Sequence, residues 1–335
     1  MHAPDSAVAR PGCSRRVAIG CAAHLALGAL LAPRAAWARF ATRTQARVVA
    51  TAPFARLEQL APGVFAVIST PFTGERTTLA NGGLVVGRAG ILAIEGFFQP
   101  AGARWLAEQC RLLTGRIPSH VVCTHYHADH LNGLTGYVDV AVDVATKGIV
   151  PPVLHVTATT RELGAVRNTP VDAARSAQLA DAMLVPVDAA STIDLGDRVV
   201  RVVPRAGHTA SDVTIELDEP SIVFGGDLLW NGVVPNYVDA TPSRLAPAAR
   251  AMRRTRETHY VPGHGSVAGD ADVARYIDLL DELERAARIA RARGQSAADA
   301  AKGYALPPTL GEWTVFNATF FERAFAAWFK EWGVA

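Results

Sequence analysis

The sequence predicts an α/β fold in which two sheets are each backed by helices. Strand-like and helix-like segments are mixed throughout the chain after residue 56. No fixed-period repeat or low-complexity linker interrupts them, which favours one domain over two separable ones. At 335 residues, 50% hydrophobic and 19% charged, the chain can bury a sizeable core and is too apolar for a disordered tail.

The elements follow in order. Residues 57–70 alternate and turn at Pro62-Gly63, as paired strands do. Residues 84–86 and 91–94 are short apolar runs separated by Gly87-Arg88-Ala89-Gly90, a hairpin signal. Residues 102–114 have helical spacing, which turns Trp105, Leu106, Leu112 and Leu113 inward. Residues 120–124 form a strand that enters a polar cluster, and residues 153–156 form another apolar strand. Three more strands fall at 198–204, 213–217 and 221–224, and a further one runs through Tyr260-Val261. Long amphipathic helices close the chain at 272–293 and 316–332.

The formal net charge of +2 is too small for the basic face that nucleic acid demands. It is also unevenly placed: residues 1–38 hold Arg10, Arg15, Arg16 and Arg34 against Asp5 alone. Arg15-Arg16 precedes an apolar run over residues 17–31, then Pro33 and Ala36-Trp37-Ala38. A positive start, an apolar middle and a small-x-small end describe a cleaved export signal, too short to span a membrane. Residues 14–19 resemble a twin-arginine signal. The expectation is cleavage after Ala38, a domain over residues 39–335 and a periplasmic location. Cys13 and Cys21 leave with the signal, while Cys110 and Cys123 remain as buried thiols.

The chemistry concentrates in His125-Tyr126-His127-Ala128-Asp129-His130, directly after the apolar run Val121-Val122-Cys123. Residues i and i+2 at a strand end point the same way, so His125 and His127 can hold one metal together. Asp129 and His130 begin the next turn and can aim at a second position. Such crowding of polar groups at a buried strand end is costly unless a cation offsets it. The same signal recurs at later strand ends, in Gly207-His208-Thr209, Gly225-Gly226-Asp227 and Pro262-Gly263-His264-Gly265. Each is a ligand type flanked by glycine, which lets backbone approach closely.

This ordered set resembles the metallo-β-lactamase superfamily of metallohydrolases, over nearly all of residues 57–270. The resemblance implies a four-layer αβ/βα sandwich with the metals at the sheet edge and additional C-terminal helices from about residue 270. It implies one metal on His125, His127 and His208 and another on Asp129, His130 and His264. Asp227 and a hydroxide bridge them. Asp129 orients that hydroxide and takes its proton, which makes it the candidate catalytic residue. Two zinc ions suit these donors, and iron or manganese would also be accepted.

The implied activity is hydrolysis of a small-molecule ester, thioester or lactone. The ligand set is glyoxalase-II-like, whereas dedicated metallo-β-lactamases generally lack the bridging Asp and many use a Cys ligand. The alternatives are a β-lactam hydrolase and a mononuclear iron sulfur dioxygenase of the same superfamily. Residues 227–235 and the export signal are similar to periplasmic hydrolases of the quinoprotein-relay or Sox-associated group, which admits a partner in a periplasmic redox system. Phe72 and Arg76, in a loop that overhangs the metals in this family, are candidate substrate contacts. Trp230, Asn231 and Tyr237, in the wall after Asp227, are others. Glu95 stands where similar proteins often have Asp, which puts a supporting role for it in doubt. Asp212 either orients a ligand or caps a turn. His120 reads as a surface or capping residue, and His155 as a core histidine.

Overall fold

A computed structural model describes residues 46–70, 75–143 and 150–333. The expected export signal with its expected cleavage point, and Phe72, lie outside the described residues. Ala46–Ala335 forms one compact unit.

The first sheet runs β1 (Arg47–Ala52), β2 (Ala55–Ala61), β3 (Val64–Ser69), β4 (Gly82–Val86), β5 (Ile91–Ile94), β6 (His120–Val122), β7 (Val153–Thr157) and β8 (Met183–Val185), in that spatial order. Hairpins make β1 to β5 antiparallel, and crossovers make β5 to β8 parallel. The second sheet contains β9 (Ser191–Asp194), β10 (Val199–Pro204), β11 (Val213–Leu217), β12 (Ile222–Asn231) and β13 (His259–Gly265), again neighbours in sequence order.

Strand alternation builds the layers. In β3, Val64, Ala66 and Ile68 meet Val202, Ile215 and Phe224 of the second sheet, while Phe65 and Val67 face the helical side. In β5, Leu92 and Ile94 turn inward between the sheets and Ile91 and Ala93 turn to the helices. Helix α1 (Pro100–Thr114) covers the first sheet with Ala103, Leu106, Ala107 and Cys110. The short α2 (Ala128–Leu131) and α3 (Thr135–Asp143) join that layer, and α4 (Ala158–Val166) and α5 (Ala173–Ala180) follow β7. On the far side, α6 (Pro242–Met252) and α7 (Asp270–Ala292) pack Leu245, Met252, Tyr276 and Leu280 on Val223, Leu229 and Tyr260. This is the expected four-layer αβ/βα sandwich. The chain ends in α8 (Ala297–Lys302) and α9 (Phe320–Glu331), tied to α7 through Ala287, Phe325, Trp328 and Phe329.

Two expectations change. Leu112 and Leu113 are 69% and 45% exposed, because α1 reaches its Gly115 cap, at φ 74°, beyond the area the sheet can cover. β12 does not stop at Phe224 but continues to Asn231, with register shifts against β13 around Gly226. Those shifts bend the strand where Asp227 projects. Both remaining thiols, Cys110 and Cys123, are free and buried, as expected. Among the described residues no helix is long and apolar enough to cross a membrane.

Candidate metal centre

The end of β6, the loop between β10 and β11, and the bent pair β12–β13 deliver the candidate ligands to one edge of the sandwich. His127 caps α2, whose four residues carry Asp129 and His130. Gly226, at φ 50°, lets β12 cross close to Thr124: a Cβ there would lie 2.6 Å from Thr124 Oγ1. Gly263 leaves the space into which Asp227 Oδ1 projects. These glycines are what allow a ligand loop to form at each strand end.

The structure brings all seven predicted ligand residues together, in two groups. The donor atoms of His125, His127, His208 and Asp227 lie within 4.8 Å of one another, as do those of Asp129, His130 and His264. Asp227 faces both groups. Its Oδ2 is 3.2 Å from His208 Nε2 and 3.9 Å from His125 Nε2. Its Oδ1 is 3.1 Å from His130 Nε2 and 3.3 Å from His264 Nε2. Asp129 Oδ2 lies 3.3 Å from His264 Nε2 and 3.7 Å from His130 Nε2.

Hydrogen bonds on the outer side fix which ring nitrogens face inward. Thr124 donates its single hydroxyl proton to Glu95 Oε1 at 2.6 Å, so its oxygen accepts from His125 Nδ1 at 3.0 Å. His125 Nε2 is then a bare lone pair. His127 Nε2 donates to Asp239 Oδ2 at 3.0 Å, which leaves Nδ1 bare in the neutral ring. His127 Nδ1 lies 3.0 Å from His125 Nε2 and 2.9 Å from His208 Nε2. Three ring nitrogens thus converge on one point. Nitrogens held tetrahedrally on zinc sit about 3.3 Å apart, given Zn–N lengths of about 2.0–2.1 Å.

The electrostatics also fit a cation. Burial holds His125 well below the usual histidine range and His208 down to about 3, so both are neutral. Burial opposes charge on His130 and His264 as well. Asp227, Glu95 and Asp129 outweigh it at His130 and raise its pKa well above normal. Asp227 and Asp129 raise His264 to about 9. The same pairings overcome burial to keep Asp129 ionised, down to about 2, and hold Asp227 well below the carboxylate range. His130 Nε2 and Asp227 Oδ1 are buried with no hydrogen-bond partner although they face each other. Orphaned donor atoms of this kind are satisfied by a shared cation. The residues therefore fit a metal centre.

Three supporting residues had weak or no sequence signal. Glu95 is 1% exposed and takes bonds from Thr124 N, Thr124 Oγ1 and His130 Nδ1, so its longer arm does reach. It sits at φ 76°, a strained value for a non-glycine residue. Asp239 holds His127 and also takes Arg167 Nη2 at 3.0 Å, while Arg167 Nη1 donates to the Tyr126 hydroxyl. Asn81 accepts from Ser69 N and donates to Pro262 O and Gly265 O, which ties β3 to the His264 loop. Asp239 is 112 residues from His127 in sequence, so no local pattern could expose the pair. Asp212 caps the turn at Thr209 through both the backbone N–H and the hydroxyl.

The expected substrate wall is corrected in part. Trp230 is 4% exposed and stacks on His264 at 4.0 Å between centroids, so it supports that ring and offers no open surface. Tyr237 is 2% exposed under α7 and α9, yet it lines a cavity next to Asp239, where the expected wall placed it. Asn231 spends its amide N–H on Ser266 O. Arg76 is exposed in the segment before Asn81. His120 and His155 pair with each other at 3.1 Å instead of standing apart.

A family model described as the metallo-beta-lactamase superfamily matches residues 102–286. No curated protein matches the chain. Among solved structures, TMB-1 aligns at 18% identity and a TM-score of 0.51, over 69% of this chain and 99% of that one. A metallo-beta-lactamase from Erythrobacter litoralis aligns at 20% and 0.50, over 70% and 99%. The DIM-1 metallo-beta-lactamase, in a structure exposed to ceftazidime, aligns at 19% and 0.51, over 70% and 99%. At these identities the structures share the fold.

Proposed function

Because this chain belongs to the metallo-beta-lactamase superfamily, a family of metal-dependent hydrolases, we propose that it holds two zinc ions and cleaves an ester, thioester or lactone. The observation that carries the reading is Asp227, whose two oxygens each face a separate group of ligand residues. His125, His127 and His208 would hold one ion, and Asp129, His130 and His264 the other. Iron or manganese could use the same donors. Bound there, the pair of ions supplies Lewis acidity and brings the pKa of water toward neutrality.

The chain's own residues do the rest. Asp129 is the carboxylate most open to solvent, with 25% of its side chain exposed against 3% for Asp227. Ionised by His130 and His264, it can orient an attacking water and accept its proton. Glu95, Thr124 and Asp239 hold the histidines in the tautomer that binds a cation. No thiolate joins either group, since Cys110 and Cys123 are not among their members. A bridging carboxylate lowers the effective charge offered to a departing ring nitrogen, which disfavours β-lactams relative to better leaving groups. The leader of residues 1–38 would deliver the enzyme to the periplasm, by the twin-arginine route. The stretch 227–235 supports a likeness to relay-type periplasmic hydrolases and a redox-system partner.

Side-by-side kcat/KM values for zinc-loaded protein on activated esters, thioesters, lactones and a chromogenic cephalosporin test this. We expect the cephalosporin to be at least about tenfold poorer than the best ester-type substrate, about 1.4 kcal/mol in barrier. A cephalosporin hydrolysed faster than every ester, thioester and lactone would overturn it.

A further inference from the structure

A cavity of about 530 Å³ is lined in part by residues next to candidate ligands in the chain or bonded to them. Tyr126 lies between His125 and His127, Ala210 lies two residues after His208, and Asp239 is the partner of His127. The opposite wall is α9, which contributes Arg323 and Lys330.

The lining carries two cations, Arg323 and Lys330, and two carboxylates, Asp239 and Glu331. Asp239 is engaged by His127 and Arg167, and Glu331 takes the backbone N–H of Ser243 in the first turn of α6. Neither carboxylate is paired with Arg323 or Lys330. Arg323 bonds only a neutral amide, Asn236 Oδ1 at 3.0 Å, and lies over the Phe320 ring. Neither Arg323 nor Lys330 has a carboxylate partner among the described residues. Between them on α9 lie Ala326 and Ala327, and Val238 lines the cavity from the segment that carries Asp239. Two cations outside any ion pair, beside a short apolar surface, match an aliphatic chain that ends in an anion. The guanidinium fork favours a carboxylate.

We propose that this cavity receives the carboxylate end of the substrate, and that the enzyme prefers esters or thioesters whose acyl chain carries a second, free carboxylate. This rests on the hydrolase reading above and names its substrate class. The balance is that of simple hydrolysis. A water oxygen bonds the acyl carbon, the carbon–sulfur or carbon–oxygen bond breaks, and a proton from that water ends on the departing sulfur or oxygen.

The test compares a glutaryl thioester with its neutral primary-amide analogue, in native protein, Arg323→Gln and Lys330→Gln. We expect native kcat/KM to favour the free carboxylate by about tenfold or more, the scale of a hydrogen bond to a charged group. Arg323→Gln should collapse that preference, mainly through KM. Equal native rates on the two substrates, or a preference that survives both substitutions, would overturn the proposal. Calorimetric binding of glutarate to zinc-loaded protein separates this from the hydrolase reading. If no ester is turned over but glutarate binds and Arg323→Gln abolishes it, the cavity assignment stands and the reaction assignment fails. No glutarate binding by native protein would sink the cavity assignment.

Discussion

Replacing Asp239 with Asn tests how the outer hydrogen bonds govern metal affinity. The Asp239 carboxylate accepts from His127 Nε2 at 3.0 Å through one oxygen and from Arg167 Nη2 at 3.0 Å through the other. An amide keeps only one of those acceptors. If its oxygen faces His127, its NH₂ meets the Arg167 donor. If it is reversed, the NH₂ meets His127 Nε2 and favours the tautomer whose proton sits on Nδ1, where the cation should bind. Losing such a partner lowers metal affinity about 10- to 100-fold, or about 1.4 to 2.7 kcal/mol. The cost to folding is smaller. The pair is 19% and 47% exposed on its two side chains, and solvent-screened pairs contribute about 1 kcal/mol or less. Competition with a chromophoric zinc chelator should show one ion bound more weakly and the other unchanged, with a smaller zinc-induced rise in Tm. First-ion affinity equal to that of native protein would refute the tautomer argument.

Three further outcomes are expected. Glu95→Ala strands three buried donors and should destabilise metal-free protein by about 3 kcal/mol in urea titration, whereas a loss under about 1 kcal/mol would show the network to be dispensable. Burial and then His120 hold His155 down to about 4 from 6.5, so its native ring binds fewer protons than the unfolded one. Its contribution is present above pH 6.5 and fades as pH falls toward about 4; His155→Phe should flatten the stability profile across that window, and an unchanged slope contradicts the assignment. Arg15→Lys combined with Arg16→Lys keeps the charge and removes the motif, so precursor should accumulate uncleaved in the cytoplasm; normal periplasmic yield would point to the ordinary secretion route.

The sandwich was legible because strand alternation and helix spacing are local. The apolar run at 91–94 is buried throughout in the structure, while 64–69, read as an alternating strand, is buried on both faces as well because helices cover one side and the second sheet the other. The His125 to His130 hexapeptide was legible for the same reason, and the glycine-flanked ligands at 208, 227 and 264 by repetition of one pattern. Asp239, Asn81 and Arg167 were not, because they act on residues far along the chain through contacts that only packing creates. Trp230 misled for a related reason. An aromatic just past a ligand reads as a substrate wall, but the continuation of β12 to Asn231 buries it against His264 and Phe320. Leu112 and Leu113 failed because helical spacing cannot say where the covering sheet ends.

The central claim is that one carboxylate, Asp227, joins two ligand groups into a centre for two ions. Native mass spectrometry of the protein titrated with zinc measures this directly. The account predicts two ions per chain at saturation, falling to weaker and incomplete loading in Asp227→Ala. Saturation at a single ion in the native protein would contradict it.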